Sequence, residues 1–405
     1  MRENNLEIKD YIQKSHLNSK VGKKLNSKYK KVFDQINNEL KNPNQFFYLF
    51  NKNYKLSTKI SNLKKFRKFN TVVLIGMGGS ILGSEAIYEY LKKNVKKKFY
   101  FLNDLDIAKI QKVKKKIIIK KTLFIVISKS GNTTETLSNL FYLDILEKKS
   151  KNIIVITEKK DSILFNITKK FNLFFIEHKN YIGGRYSVLS DVGLVPAYFM
   201  GINMFKLRKN IYKYISNNQI LKDSSTKLAN ILIQKKMPNL VFLNYSKNLD
   251  KFLFWAQQLI AESLGKKSQG FFPIVSNVPK DHHSLLQLYL DGPKDKLFII
   301  FSIDEKPTKK LSVNKFLNKK NFFINNKSLN QIKSAQKNAL IETLKKNRIS
   351  FREFKLKKDN VETLGQLFSY FILETILIGK LTNINPFNQP AVEQVKVVTK
   401  KYLLK

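Results

Sequence analysis

Short blocks of consecutive apolar residues recur along the chain, each followed by a longer stretch in which apolar positions return every three or four residues. The first pattern marks strands buried on both faces, the second amphipathic helices. Residues 71–93 (TVVLIGMGGSILGSEAIYEYLKK) read as strand, glycine turn and helix, and residues 99–102, 123–127, 152–157, 240–243, 298–303 and 350–356 as further strands. Helical periodicity covers 135–147, 247–264, 329–346, 361–380 and the tail at 392–403. Along 247–264, Leu249, Phe252, Ala256, Leu259 and Ile260 form one stripe and Gly265 is a natural C-cap. This alternation predicts an α/β fold of doubly wound parallel sheets, with the ligand at the strand C-termini. Residues 1–60 scatter their apolar positions (Ile12, Leu17, Val21, Leu25, Val32, Ile36 among them) and read as amphipathic helices. Residues 206–226, polar and rich in Asn and Lys, read as a linker.

At 405 residues and 43% hydrophobic content, the chain can build two cores. It has no cysteine, which excludes disulfides and thiolate metal sites and fits a reducing compartment. The first twenty residues lack the apolar core of a signal peptide, and the longest apolar runs are too short for a bilayer or are broken by Pro and Glu, so a soluble cytoplasmic protein is expected. The formal charge of +45 changes the picture less than its size suggests. Only six of the 75 basic residues are arginines, and the lysines run from end to end beside abundant Asn, Ile, Phe and Tyr. Nucleic-acid surfaces cluster their basic residues and use Arg and aromatics to read bases. Solvated lysine faces account for this composition, and no nucleic-acid partner is expected.

Candidate chemistry begins at Ser128–Thr134 (SKSGNTT), directly after the strand at 123–127 and before a helix. A helix N-terminus there favours an anion. Ser128, Ser130, Thr133 and Thr134 add donors, and Gly131 lets the backbone turn closely around a ligand. Helix capping by Thr133 or Thr134 with Glu135 explains one hydroxyl and not four, so the stretch reads as a phosphate cradle. The glycines at 76, 78, 79 and 83 miss the dinucleotide register G-x-G-x-x-G; the turn suits a small sugar or phosphate, with Ser80 as donor. Gly183 and Gly184 precede Arg185, a planar fork for an oxyanion in a lysine-rich chain; a surface ion pair is the bland reading of that arginine. Glu262 falls in the last turn of its helix and is a candidate base, against the bland reading of a solvated helix-end glutamate. His282 and His283 are adjacent and do not share a helix face, which disfavours a metal and suits an acid–base imidazole. Gln389, Glu393 and Lys396 stand near the start of the tail helix.

Taken together, these stretches resemble the glucose-6-phosphate isomerase (phosphoglucose isomerase) family, built from two sugar-isomerase (SIS-type) domains. The match runs in the family's order through GMGGS (76–80), SKSGNTTE (128–135), GGRYS (183–187), QLIAESLGK (258–266), DHHS (281–284) and QPAVEQVK (389–396). The resemblance implies a helical N-terminal segment over 1–60, a first sugar-isomerase domain with the phosphate loop over 61–205, a second with the catalytic Glu and His over 206–385, and a C-terminal helix carrying Lys396 over 386–405. It implies reversible isomerisation of glucose 6-phosphate and fructose 6-phosphate through ring opening and a cis-enediol. Glu262 would be the base, Arg185 the stabiliser of the developing charge, and His283 and Lys396 the residues of ring opening. Ser128, Lys129 (through its backbone), Ser130 and Thr133 would hold the phosphate, with Gly79 and Ser80 beside the sugar and Gln389 near the phosphate. It further implies no metal or organic cofactor, and a homodimer in which His283 of the partner subunit reaches the site. The chain departs from the family in His282, where related bacterial motifs carry Gln, in Ala391, where Gly is usual, and in a reduced N-terminal region. A dual phosphoglucose/phosphomannose isomerase shares the enediol and differs only in C2 stereochemistry. A non-catalytic sugar-phosphate-binding protein would leave Glu262, His283 and Lys396 without a purpose.

Overall fold

The computed structural model describes residues 5–148, 150–306, 308–318 and 322–404. Its strands are β1 (Leu6–Tyr11), β2 (Thr71–Gly76), β3 (Lys98–Leu102), β4 (Thr122–Ile127), β5 (Ile153–Thr157), β6 (Phe174–Glu177), β7 (Asn239–Asn244), β8 (Phe272–Asn277), β9 (Lys296–Ile303) and β10 (Phe351–Leu356). They form two five-stranded sheets, ordered β3-β2-β4-β5-β6 and β1-β10-β9-β7-β8. The first is wholly parallel. The second is parallel except for β1, which runs antiparallel along β10 with Leu6 opposite Leu356 and Tyr11 opposite Phe351.

Every residue of β4 is buried, as expected of a central strand covered by helices on both faces. One core joins the inner faces of both sheets through Leu74, Leu123, Phe242, Phe301 and the helix Val361–Leu381. Smaller clusters close the outer face of each sheet. Among the described residues, Val361–Leu381 is the one helix long and apolar enough to cross a membrane, and 89% of its apolar window is buried within the molecule.

Two expectations change. Residues 1–60 are not all helical, because Leu6–Tyr11 alternates apolar and polar positions and completes the second sheet before the helix Ser19–Glu39 begins. Residues 206–226 are not a linker, because they lie in the helices Met204–Arg208, Lys213–Ser216 and Gln219–Gln234. Leu221, Leu228 and Ile231 of the last helix are buried in the shared core.

Strand β1 is anchored by a buried arginine. Arg352, 1% exposed, donates to Asp10 Oδ2 at 2.9 Å and to Glu374 Oε1 at 2.8 Å. Burial raises the Asp10 pKa, but the charges of Arg352 and Lys227 and the backbone N–H of Ile12 outweigh it and leave a net depression. A depressed carboxyl stabilises the fold above its unfolded value, ordinarily 3.8, and loses that contribution as pH falls through its folded value. Asp10→Asn should therefore be less stable than wild type in urea at pH 7, with the gap closing on acidification. Arg352→Met strands two carboxylates and should lose about 3–5 kcal/mol at pH 7.

Candidate active site

The site is assembled around the turn that follows β2. Gly76 pairs with Ile127, so the turn at 77–80 and the hydroxyl loop after β4 leave the sheet side by side. Gly79 packs on the backbone of the loop carrying Arg185. A Cβ there would lie 2.2 Å from the Gly184 carbonyl carbon and 2.4 Å from the Arg185 nitrogen, so no side chain fits. Gly78, on the other side of the turn, abuts the amide of Gln258. One short turn thus gathers the hydroxyl loop, the arginine loop and the helix Asp250–Leu264. The Ser80 side chain is largely buried and hydrogen-bonds to none of the described residues.

In the hydroxyl loop, Ser128 Oγ and Thr133 Oγ1 are hydrogen-bonded at 2.9 Å, and Ser130 Oγ lies 3.5 Å from Thr133 Oγ1. Gly131 N donates to Ser128 Oγ and Asn132 N to Ser130 Oγ, both at 3.2 Å. Thr133 is the N-cap of the helix Thr134–Leu143, yet its side chain makes no capping bond. Capping therefore does not explain the loop. Gly131 has φ +71°, and a Cβ would fall 2.2 Å from Ser162 Oγ. The Lys129 ammonium donates to Asn180 O at 2.9 Å and lies 3.6 Å from Glu158 Oε1, and its backbone carbonyl accepts from Glu158 N at 3.2 Å.

Arg185 is the hub. It is 4% exposed and all three of its nitrogens are engaged. Nε donates to Ser263 Oγ at 2.8 Å, and Nη1 donates to Glu262 Oε2 at 3.2 Å and to Gln389 Oε1 at 2.8 Å. Nη2 donates to the carbonyls of Pro386 and Asn388. A surface ion pair is excluded by this burial, and only a guanidinium supplies donors in that fan. The second oxygen of Glu262 accepts from Gln258 Nε2 at 2.9 Å. The carboxylate is held between two donors while its side chain remains 33% exposed.

The chain does not bring every expected residue to this place. His282 and His283 open the helix His282–Leu290 after β8. His282 Nε2 is hydrogen-bonded to Tyr245 OH at 3.1 Å, and burial, then the neighbouring His283, hold its pKa below the usual imidazole range. His283 is exposed, and its ring hydrogen-bonds to no described residue. Both histidines sit by the C-terminal ends of β7 and β8, the end at which Asn244 Nδ2 donates to Asp250 Oδ1. From Asp250 to Glu262 the helix rises about 18 Å. Lys396 pairs with Glu393 at 2.7 Å on the helix Pro390–Leu403, none of whose residues is buried.

A model of the phosphoglucose isomerase family matches residues 52–404. The chain belongs to that family. The glucose-6-phosphate isomerase of Methanocaldococcus jannaschii is 34% identical over 351 residues, covering 83% of this chain and 86% of the relative. The crystal structure of a hypothetical protein from Thermus thermophilus is similar at TM-score 0.79 and 26% identity, covering 93% of this chain and 95% of its own. A glucose-6-phosphate isomerase structure from Chlamydia trachomatis gives TM-score 0.71 at 19% identity over 85% of this chain and 71% of its own, a likeness of fold.

Within this phosphoglucose isomerase framework, Gln258, Ser263 and Tyr186 complete the site although residue pattern did not single them out. Gln258 is four residues before Glu262 on one helix face, a spacing that could have signalled it. Ser263 Oγ is hydrogen-bonded to Tyr186 OH at 2.6 Å, and the phenol donates to Pro386 O at 2.8 Å. No periodicity reveals those contacts. They join residues remote in sequence.

Proposed function

We propose that this site interconverts glucose 6-phosphate and fructose 6-phosphate by moving a proton between C1 and C2 through a cis-enediol, with Glu262 as the base. The observation that carries the reading is the Glu262 carboxylate, oriented by Gln258 and Arg185 beside the turn that adjoins the hydroxyl loop. The same guanidinium that orients the base faces the negative charge that grows on the enediol oxygen, and a preorganised cation stabilises that charge without rearranging. Ser128, Ser130, Thr133 and the Lys129 backbone hold the phosphate at the positive end of the helix Thr134–Leu143. Gly79 and Ser80 lie along the sugar, and Gln389 completes the wall from the tail side. Residues 61–205 supply the phosphate seat, 206–385 the base, and 386–405 the tail with Lys396.

Ring opening falls to Lys396 and to a histidine, and His283 is the one with a free ring. The helix Asp250–Leu264 carries Glu262 about 18 Å from its Asp250 end, the end near the two histidines, and this supports a homodimer in which His283 of the partner subunit enters the site. The tail helix supports the same assembly: Val392, Val395, Val398 and Tyr402 form an exposed stripe that a second copy would cover. Purified protein should convert fructose 6-phosphate to glucose 6-phosphate. The double substitution Ser128→Ala, Thr133→Ala should raise KM by roughly 10²- to 10⁴-fold, two hydrogen bonds to a charged group, with a smaller change in kcat. No turnover in folded, sugar-phosphate-binding protein would replace the isomerase with a binding protein.

A further inference from the structure

Lys266 lies just beyond the C-cap of the base-bearing helix, and nothing above gives it a role. Its ammonium donates to Ser263 O at 2.7 Å and to Asn385 O at 2.8 Å. The first bond is ordinary for a lysine at a helix C-terminus, where free carbonyls and the negative end of the dipole attract a cation. The second is not. It reaches a residue 119 positions onward, in the segment that delivers Gln389 and the tail helix.

Phe387 of that segment packs on Phe46 and Tyr186, while each side-chain hydrogen bond that reaches the segment from elsewhere among the described residues leads back to the base. Arg185 donates to the carbonyls of Pro386 and Asn388, Tyr186 OH donates to Pro386 O, and Lys266 donates to Asn385 O. Ser263, next to Glu262, meets all three: its hydroxyl accepts from Arg185 Nε and bonds Tyr186, and its carbonyl accepts from Lys266. We propose that Lys266 is a positioning residue, whose ammonium pins residues 385–389 to the end of the catalytic helix and so fixes Gln389 and the departing tail relative to Glu262. The inference rests on the reading of Glu262 as the base.

The charge matters as well as the contact. Burial first, then the Arg185 charge, push the Lys266 pKa down to about 8, against the opposing pull of Glu262. Those two are the charged groups that face it. A neutral amine still donates, but a bond from a charged donor is roughly twice as strong. The clamp therefore weakens as pH rises past about 8.

The test compares Lys266→Met, Lys266→Arg and Glu262→Gln with wild type across pH, using fructose 6-phosphate. Lys266→Met should lower kcat/KM by roughly 10- to 100-fold, the worth of hydrogen bonds from a charged donor, and chiefly in kcat because the hydroxyl loop is untouched. Lys266→Arg, charged throughout, should restore most of that loss and move the alkaline limb of kcat/KM to higher pH. Wild-type constants in Lys266→Met, or an unmoved limb in Lys266→Arg, would overturn the proposal. If Lys266→Met does not fold, the arginine variant carries the test alone. An active Glu262→Gln would instead overturn the assignment of the base, whatever the lysine variants do.

Discussion

Glu262→Gln is expected to lower kcat by about 10²–10⁴-fold, the usual share of general base catalysis, with fructose 6-phosphate affinity within a few-fold of wild type. The site makes this variant an unusually clean test. One carboxylate oxygen faces Arg185 Nη1 and the other faces the amide of Gln258. A glutamine at 262 keeps an oxygen for the arginine and turns an NH2 toward residue 258. Gln258 can meet it by rotating its amide, because its own Oε1 is buried without a partner in the wild-type arrangement. The variant therefore keeps a contact to Arg185 and one to Gln258, and what it loses is proton abstraction. Isotope exchange with solvent of a C1 hydrogen of fructose 6-phosphate, or of the C2 hydrogen of glucose 6-phosphate, reads that step directly. Exchange and turnover near wild-type rates would remove Glu262 from the mechanism.

The contrast between what sequence could and could not reveal follows burial. Central strands such as β4 and β7 are apolar without interruption because helices cover both faces, and they stand out at once. The strands that escape such reading, β1, β6 and β8, all lie at sheet edges. An edge strand is half covered: β1 interleaves charged residues, β6 is only four residues long, and β8 carries Pro273, which an edge tolerates. The site divides along a similar line. The hydroxyl cluster of Ser128, Ser130 and Thr133 is legible because it is local, built within one loop and one helix terminus. Arg185 is legible as a rare residue type, but not its function as a hub. Its partners lie 77 to 204 residues away. Gln258 and Lys266 stand in plain view beside Glu262, and only three-dimensional contact distinguishes them from any polar helix residue. The adjacent histidines are equivalent on sequence, whereas folding commits His282 to Tyr245 and leaves the ring of His283 exposed.

That exposure leads to the second large effect. Glu262→Gln and His283→Ala, each alone, should be nearly inactive as homodimers, yet mixing them through reversible dissociation or co-expression should restore activity. The reason is geometric. If each site takes its base from one protomer and its imidazole from the other, a heterodimer of the two variants puts both lesions in one site and leaves its second site intact. Random pairing makes half the dimers heterodimers, so total activity should recover to about a quarter of wild type. A histidine serving its own chain predicts the opposite, since every protomer then carries a lesion and mixing restores nothing. The first outcome also bears on the tail. The stripe of Val395, Val398 and Tyr402 is apolar on a helix with no buried residue, and burying it against a second copy would bring Lys396 to a site bounded by both chains. Val395→Glu should then suppress complementation by blocking dimers, lowering the apparent mass in solution together with the recovered activity.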